Sequence, residues 1–314
     1  MTIRFAFFTD THHFSGAPHD FGAPKMLTRS KEVLDILPSV INAGNFDFVV
    51  HGGDIVCGGS SFNIPNDTFV RSLEEAAATF EQITTPFYSV PGNHDCDADS
   101  WTYDQYGEHF SVHSPITLVD VAPQLRLALA NVFYEVDVKE NGSGLWTDAM
   151  DESLRQAAAR ASQDQCALIL ILHSWILPSG DGDIGLISKA KRLRQTIEDC
   201  PCISMVFTGH RHMNRITAHN DYLVIDTACL IGFPLGYREV ILSENGSFTT
   251  HFHTLRLPRL IQDSRNRSTD TENRIWEGKL SDRNTEIVIP RLKKNGPSLQ
   301  TDITLSSKSY ARIK

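Results

Sequence analysis

Short apolar runs recur through the chain, and amphipathic stretches separate them. Runs rich in β-branched and aromatic residues are typical of buried strands, so each run predicts a strand. The predicted strands are residues 3–9, 46–52, 86–90, 127–134, 167–173, 203–209, 222–227 and 237–242.

Other stretches repeat apolar residues at helical spacing. They predict helices over residues 27–43, 67–83, 148–162 and 188–199. Strand and helix alternate over the first two thirds of the chain, and strands predominate afterwards. We therefore expect an α/β fold in which packed β-sheets are flanked by helices.

The sequence becomes polar toward its C-terminus. The stretch SRNRSTDTEN (264–273) indicates a linker, and after it residues 285–290 and 301–305 predict strands. We expect a core domain over residues 1–261 and a C-terminal accessory arm over residues 262–314. The arm could cover the core or pair with a second copy of the chain in a homo-oligomer.

Several predicted strands end in residues that can bind metal ions. These residues are Asp10 and His12 after the first strand, Asp54 after the second, Asn93, His94 and Asp95 after the third, His173 after the fifth, and His210 and His212 after the sixth. The carboxyl ends of parallel strands converge on one crevice, so we expect these side chains to meet. Each has an ordinary explanation when taken singly, because Asn and Asp favour turns. Their recurrence in strand order favours a shared site.

The residue types favour metal chemistry over the common alternatives. No Gly-x-Ser-x-Gly elbow is present, and neither a Walker motif nor Gly-x-Gly-x-x-Gly follows a predicted strand. Carboxylate, imidazole and amide oxygen ligands together suit Mn, Fe or Zn in a binuclear site. A spacing of two residues puts Asp10 and His12 on the same side of an extended backbone, and the same holds for His210 and His212.

These segments, in this order, resemble the calcineurin-like metallophosphoesterase superfamily. The motifs are D-x-H (Asp10, His12), G-D (Gly53, Asp54), G-N-H-D (92–95), a lone histidine (His173) and G-H-x-H (209–212). The resemblance implies a four-layer αββα sandwich of two mixed β-sheets flanked by helices, here with a C-terminal extension. It also implies two divalent metal ions. Asp10, His12, Asp54 and His212 would bind one ion, and Asp54, Asn93, His173 and His210 would bind the other, with Asp54 as the bridge.

The same resemblance implies a reaction. Two ions about 3.5–4 Å apart neutralise phosphate oxygens and acidify a bound water, whose hydroxide attacks phosphorus in line. The resemblance gives His94 the role of protonating or stabilising the leaving oxygen. Asp95 would support the turn or His94.

Departures from the family motifs indicate the branch. Ser/Thr phosphatases carry G-D-x-V-D-R-G, whereas this chain has GDIVCGG, with Cys57 and Gly58 in place of the second Asp and the Arg. Purple acid phosphatases need a tyrosine where Cys57 stands. The chain resembles instead the phosphodiesterase branch, which acts on cyclic nucleotides, glycerophosphodiesters or similar substrates. Cys57 could support the site or be a small buried filler.

Two other functions stay open. A phosphomonoesterase or nucleotide diphosphatase would use the same metal site. A non-catalytic scaffold of the same fold should have lost metal ligands, whereas every expected ligand position is filled here.

Substrate choice should depend on loops at the same sheet edge. These loops are residues 13–25, 58–65, 97–107 and 178–187. Their aromatic residues include Trp101 and Tyr103, which could stack on a nucleobase or simply pack between loops.

Charge and hydropathy restrict the partners. The formal net charge of −9 argues against capture of a nucleic acid backbone or an anionic membrane surface. The N-terminal apolar run is too short for a signal peptide, and no stretch approaches the roughly 20 apolar residues of a membrane span. The cysteines form no CxxC pair and are expected to be reduced thiols. We expect a cytoplasmic enzyme that acts on a small phosphodiester.

Overall fold

Two β-sheets pack face to face at the centre of the chain. The structure is a computed structural model. It describes residues 2–20, 22, 24–59, 62, 64–97, 99–110, 114–178, 185–243 and 245–292, so the predicted strand at 301–305 lies outside the described residues.

The strands are numbered in chain order. They are β1 (Thr2–Phe8), β2 (Phe48–His51), β3 (Phe87–Ser89), β4 (Ile116–Ala122), β5 (Leu125–Ala130), β6 (Ala167–Ile171), β7 (Ile203–Thr208), β8 (Arg215–His219), β9 (Tyr222–Asp226), β10 (Gly236–Ser243), β11 (Ser247–Thr254) and β12 (Asn284–Val288).

The helices follow the same convention. They are α1 (Ser30–Ala43), α2 (Asn66–Phe80), α3 (Asp104–Phe110), α4 (Asp148–Gln163), α5 (Ala190–Asp199), α6 (Pro258–Asn266), α7 (Asp270–Glu277) and α8 (Leu280–Arg283). Short 3₁₀ turns cover Leu27–Arg29 and Pro290–Leu292.

Both sheets are mixed. The first has the strand order β12-β11-β10-β1-β2-β3, with β1, β2 and β3 parallel and β10 antiparallel to β1. The second has the order β4-β5-β6-β7-β9-β8, with β5, β6, β7 and β9 parallel and the two edge strands antiparallel. The crossovers between the parallel strands β1, β2 and β3 contain α1 and α2, as parallel strands require.

The layers follow from the alternation of side chains along each strand. In β1, Phe5 and Phe7 pack between the two sheets, whereas Ala6 and Phe8 pack against the helices. Helices α1 and α2 cover the outer face of the first sheet, and α4 and α5 cover that of the second. The predicted αββα sandwich is therefore confirmed.

The strands that the pattern missed are partly polar. All eight predicted strands are present, and the four predicted helices correspond to α1, α2, α4 and α5. The pattern missed β4, β8 and β11, because β4 and β8 are half-exposed edge strands and β11 carries threonine and histidine between its apolar residues.

The predicted linker at 264–273 is wrong, because these residues lie mostly in α6 and α7. Thr269 begins α7 with a capping box: Thr269 Oγ1 accepts the Glu272 N–H, and Glu272 Oε2 accepts the Thr269 N–H. The predicted strand at 285–290 is present as β12, which extends the first sheet beside β11. The domain boundary at residue 262 stays a prediction, and it falls inside α6.

Candidate metal centre

The predicted metal ligands lie in loops that follow parallel strands of both sheets. Asp10 and His12 follow β1, Asp54 follows β2, Asn93 follows β3, His173 follows β6, and His210 and His212 follow β7. Backbone hydrogen bonds join these loops. The Asp10 N–H donates to Gly53 O at 2.9 Å, and the Gly209 N–H donates to His173 O at 2.9 Å. These backbone hydrogen bonds thus fix the loops against one another.

Strained backbone marks the site. Five of the seven predicted ligands have a positive φ: Asp10 (56°), His12 (43°), Asp54 (56°), His210 (69°) and His212 (58°). A non-glycine residue in this region costs on the order of 1–3 kcal/mol, and such residues cluster where function depends on side-chain direction.

Two glycines of the motifs are required by close approach. A Cβ on Gly92 would lie 2.1 Å from Asp54 Oδ1, and a Cβ on Gly209 would lie 2.5 Å from Asp10 Oδ2. Any side chain at either position would displace a carboxylate, which explains glycine in the G-N-H-D and G-H-x-H motifs.

Asp10, His12 and His212 form the first ligand cluster. His212 Nε2 lies 3.0 Å from Asp10 Oδ1 and 3.1 Å from His12 Nε2. The other carboxylate oxygen, Asp10 Oδ2, accepts the Thr9 hydroxyl at 2.7 Å and the His210 N–H at 3.0 Å. Oδ1 is therefore the oxygen that faces the two histidines.

Asp54, His173 and His210 form the second ligand cluster. His173 Nε2 lies 3.1 Å from Asp54 Oδ2 and 3.2 Å from His210 Nδ1. Asp54 Oδ2 is also 3.6 Å from His12 Nε2 of the first cluster. Within each cluster the ligand atoms lie within 4.8 Å of one another. Asp54 thus stands between the clusters, where a bridging ligand is needed.

The tautomer of His173 directs a ring nitrogen into the second cluster. His173 Nδ1 lies 2.8 Å from Gly52 O, and since a carbonyl only accepts, Nδ1 carries the hydrogen. In the neutral imidazole, which is the form that binds a metal ion, His173 Nε2 then carries the lone pair and faces Asp54 and His210. Histidines that bind metals are commonly oriented by such a bond from the second ring nitrogen.

Asn93 provides an independent test of whether cations fit. Its Oδ1 is buried and accepts no hydrogen bond from any residue that the structure describes. A buried oxygen without a donor costs about 1–3 kcal/mol, and a bound cation would satisfy it. Amide oxygen, carboxylates and imidazoles together fit two divalent ions.

Electrostatics favour positive charge at the same place. Burial opposes ionisation of Asp54, but the His173 imidazole holds the pKa of Asp54 well below its usual range. Burial lowers the pKa of His173, but the Asp54 carboxylate more than offsets this and raises it to about 9. The buried carboxylates thus create a field that attracts cations.

His94 lies beside both clusters, and a backbone carbonyl orients it. His94 Nδ1 is 3.2 Å from Gly58 O, which leaves Nε2 for a substrate, and the His94 N–H donates to Asp54 Oδ1 at 2.8 Å. Burial lowers the pKa of His94 to about 4; Asp54 opposes this shift and Lys25 adds to it. The Gly58 carbonyl thus fixes the direction of the His94 ring.

Asp95 is buried and fixes the turn. Its Oδ2 accepts the Asp54 and Gly92 N–H groups, both at 2.8 Å, and its Oδ1 accepts the Val56 N–H at 3.0 Å. Burial and the Asp54 carboxylate raise the pKa of Asp95 to about 8, while the Gly92 and Val56 N–H groups oppose the shift. Of the two predicted roles, these contacts favour support of the turn.

Cys57 is fully buried and contacts the backbone of a predicted ligand. Its S–H donates to His12 O at 3.2 Å, and burial raises the pKa of the thiol well above its usual range. Cys57 is therefore a protonated packing residue under His12.

The aromatic residues proposed for stacking are engaged in packing. The Tyr103 hydroxyl donates to Gly92 O at 3.0 Å, and its ring stacks on Phe133 at 5.7 Å. The Trp101 ring lies 4.8 Å from Lys139 Nζ. These contacts favour the packing interpretation, most clearly for Tyr103.

Lys25 is a charged neighbour of the site that the sequence pattern did not single out. Its Nζ lies 4.9 Å from the centroid of Phe62, and no carboxylate among the described residues pairs with it. Burial and then the Lys25 charge lower the pKa of His12. Lys25 ends a predicted substrate loop, but sequence spacing cannot show where one lysine side chain points.

Comparisons with known proteins identify the family and the shared fold. A family model described as calcineurin-like phosphoesterase matches residues 3–214. A dimetal phosphatase from Danio rerio shares 14% identity, with 80% of this chain and 95% of that chain covered and a TM-score of 0.66. GAP50, described as the anchor in the inner membrane complex of Plasmodium, also shares 14% identity, with coverage of 83% and 87% and a TM-score of 0.51. No curated protein matched the sequence.

At identities this low, the two solved structures show only that the fold is shared. The family match, in contrast, is a match to the amino-acid sequence. That match spans most of the chain and includes every predicted metal ligand. The chain therefore belongs to the calcineurin-like phosphoesterase family, whose activity is the hydrolysis of phosphoesters.

Proposed function

We propose that the chain is a phosphodiesterase that hydrolyses small phosphodiesters with the help of two divalent metal ions. The observation that supports this proposal most strongly is the pair of ligand clusters joined by Asp54, with His94 beside them. Mn, Fe and Zn all suit this donor set. Cyclic nucleotides and glycerophosphodiesters are the substrate classes considered.

The residues of the chain have distinct roles in this proposal. Asp10, His12, Asp54 and His212 would bind one ion, and Asp54, Asn93, His173 and His210 would bind the other. When bound, the two ions would neutralise phosphate oxygens and supply an acidified water as the nucleophile. His94, held through Nδ1 by the Gly58 carbonyl, would meet the leaving oxygen through Nε2.

Lys25 would add positive charge beside the phosphate. Its ammonium lies over Phe62, whose ring centroid is 4.8 Å from that of His94. An ammonium that no described carboxylate neutralises can attract an anionic substrate and bind a phosphate oxygen.

The preference for diesters rests on the chemistry of the diester and on the departure from the Ser/Thr phosphatase motif. A phosphodiester carries one negative charge and expels a poor alkoxide, so it gains from both the metal pair and His94. The sequence GDIVCGG also lacks the Asp and Arg of the Ser/Thr phosphatases. A phosphomonoesterase or nucleotide diphosphatase is the rival function, and the fold of the Danio rerio dimetal phosphatase is compatible with it.

A scaffold function has less support. GAP50 is described as an anchor, and it shares the fold. In the present chain, however, six of the seven predicted ligands lie in the two clusters, and the buried Asn93 Oδ1 has no hydrogen-bond partner among the described residues.

The test compares two substrates with the same p-nitrophenolate leaving group. Metal is stripped with a chelator, Mn²⁺ is restored, and kcat/KM is measured for bis-p-nitrophenyl phosphate and p-nitrophenyl phosphate. We expect the diester to be preferred. Preference for the monoester would support the phosphatase, and inertness toward both substrates would contradict the proposal.

Cellular location and oligomeric state belong to the same proposal. No helix in the described part of the chain is long and apolar enough to span a membrane. We propose a cytoplasmic enzyme, with the C-terminal arm as the element that could join two copies. Size-exclusion chromatography of the full chain and of its Leu280→Ser variant, which changes an exposed apolar side chain of the arm, would test the arm.

A further inference from the structure

The C-terminal helices contact two loops of the metal centre. The family match ends at residue 214, so α6, α7 and α8 lie outside it. These helices nevertheless form hydrogen bonds with the backbone beside Lys25 and with the loop that follows His212. The arm therefore reaches both the segment proposed to bind phosphate and the loop that carries two predicted metal ligands.

Ser264 of α6 holds the backbone that precedes Lys25. The Ser264 side chain is fully buried, and its hydroxyl donates to Pro24 O at 2.6 Å and accepts the Phe233 N–H at 2.8 Å. A hydroxyl can donate and accept at once, whereas an alanine at this position could do neither. Ser264 thus joins α6 to the segment before Lys25 and to the segment after β9.

The backbone is also anchored on the other side of Lys25. The Met26 N–H donates to Ile231 O at 3.1 Å, and the Leu230 N–H donates to Thr9 O at 2.9 Å, directly after β1. Lys25 is thus carried by backbone that is fixed on both sides at the edge of the first sheet. A lysine side chain is long and flexible, so the position of its ammonium depends on a fixed backbone at its base.

The segment between α7 and α8 packs on the loop that follows His212. The Asn214 N–H donates to Trp276 O at 3.0 Å. Gly278 has a φ of 68°, and a Cβ at this position would lie 2.2 Å from Asn214 O. Glycine is therefore required here, both for the backbone conformation and for the close approach to the loop.

A buried arginine joins this contact to the first sheet. Arg238 of β10 is fully buried, and its Nη2 donates to Asn214 Oδ1 at 3.0 Å. Burial lowers the pKa of Arg238 to about 10, and the charges of Asp282 and Asp226 oppose this shift. Asp282 of α8 also accepts the Ile216 N–H through Oδ1 at 3.0 Å. The arm thus supplies part of the negative charge that stabilises the buried partner of Asn214.

We propose that the C-terminal arm positions two loops of the active site. Ser264 positions Lys25 for the phosphate of the substrate, and the segment between α7 and α8, through Asn214, positions the loop that carries His210 and His212 for metal binding. This inference rests on the proposed function, because it takes Lys25 as a phosphate contact and the two histidines as ligands. Ser264 and Asn214 are positioning residues, since they act through these other side chains.

The first experiment measures phosphate binding after loss of the Ser264 hydroxyl. Calorimetric titration of the Mn²⁺-loaded protein with inorganic phosphate should show an affinity about fivefold lower in Ser264→Ala, at unchanged metal content. Ser264→Thr keeps the hydroxyl and should restore most of the affinity. Ser268→Ala is the matched control on the same arm, because Ser268 Oγ has no hydrogen-bond partner among the described residues. An equal loss in Ser268→Ala would overturn the role of Ser264.

A double variant tests whether Ser264 acts through Lys25. Lys25→Met should weaken phosphate binding, and Ser264→Ala should weaken it no further in the Lys25→Met background. Two residues that act through one contact give such non-additive losses, whereas independent residues give additive ones. Additive losses in the double variant would overturn the positioning role of Ser264.

The second experiment measures Mn²⁺ affinity after changes at the contact between Asn214 and Gly278. Gly278→Ala places a Cβ against Asn214 O, and Asn214→Leu removes the acceptor of Arg238; each should lower Mn²⁺ affinity about tenfold. Asn214→Asp keeps a side-chain oxygen and should restore most of the affinity. Gly16→Ala is the matched control, because Gly16 also has a φ of 68° but no atom lies within 4 Å of its Cβ position. Unchanged affinity in Gly278→Ala and Asn214→Leu, or an equal loss in Gly16→Ala, would overturn this role of the arm.

These binding measurements separate the inference from the proposed function. If the wild type is inert toward both p-nitrophenyl substrates, the proposed function fails, whereas weaker phosphate binding by Ser264→Ala and weaker Mn²⁺ binding by Asn214→Leu would still support the positioning role. If the wild type hydrolyses the diester and both variants bind phosphate and Mn²⁺ as the wild type does, the proposed function stands and the positioning role is overturned.

Discussion

The metal centre and the cavity of about 450 Å³ that Phe14, Phe62 and Arg71 line are built differently. The metal centre is assembled from loops at the ends of five strands, and most of its ligands adopt strained backbone. The cavity is lined by the loop after His13, by Phe62 and Pro65 ahead of α2, and by the first turns of α2, where Arg71 is exposed. The metal ligands are thus positioned by the sheets, whereas the lining of the cavity comes from loops and a helix that can vary independently.

This difference makes a testable distinction between the two regions. Changes at the metal centre should impair every substrate to a similar degree. Changes in the lining of the cavity should leave the metal content unchanged, because none of the predicted metal ligands is among its described lining residues.

The largest effect is expected from removing a metal ligand. His210→Ala or Asn93→Ala should weaken one metal ion and lower turnover of all phosphodiesters by orders of magnitude, because the nucleophile depends on both ions. Metal content by mass spectrometry and the unfolding midpoint would be measured together with kcat. Normal activity in both variants would show that the ligand assignment is wrong.

His94→Ala should act on the leaving group. Metals should stay bound, and the rate should fall about a hundredfold or more for a diester with an alkoxide leaving group but much less for one with p-nitrophenolate. The measurement is kcat for a series of leaving groups of different pKa. A loss that does not depend on the leaving group would argue against this role.

Asp95→Asn should act through the turn. The side-chain amide nitrogen cannot accept a hydrogen bond, so one or more of the Asp54, Val56 and Gly92 N–H groups would lose its acceptor. We expect the free energy of unfolding to fall by about 1–3 kcal/mol and metal affinity to fall roughly 10–100-fold. Denaturant unfolding and metal titration measure these quantities, and wild-type values of both would exclude a supporting role for Asp95.

Lys25→Met should have a smaller effect, on substrate rather than on metal. Loss of a charge-assisted hydrogen bond to phosphate should reduce kcat/KM about tenfold, and Lys25→Arg should restore part of it. Inorganic phosphate should also inhibit the methionine variant less strongly. If phosphate inhibition is unchanged, Lys25 does not contact the substrate.

The sequence predicted which side chains the fold brings together better than it predicted the elements at the periphery. Asp10, Asp54 and His173 follow apolar strands, which the sequence pattern predicts. The short motifs at the ends of these strands then identify the candidate ligands. Residues 264–273 illustrate the opposite case, because the short helices α6 and α7 are polar and carry few apolar residues that mark a buried face.

Contacts across the chain could not be predicted. The Gly58 carbonyl orients His94, and Lys25 lies over Phe62; both depend on how loops fold onto the metal centre rather than on residue type. The stacking role proposed for Tyr103 has less support for the same reason, since its hydroxyl and ring find partners that only the three-dimensional structure reveals.

Metal stoichiometry tests most directly whether the two clusters form one binuclear centre. Metal-free protein would be titrated with Mn²⁺, and bound metal per chain would be compared between the wild type and Asp54→Asn, whose side chain lies between the clusters. Two ions per chain in the wild type, with both weakened by the single substitution, is the predicted result. A wild type that binds one ion or none, or an Asp54→Asn variant that keeps both ions at unchanged affinity, would contradict the binuclear centre.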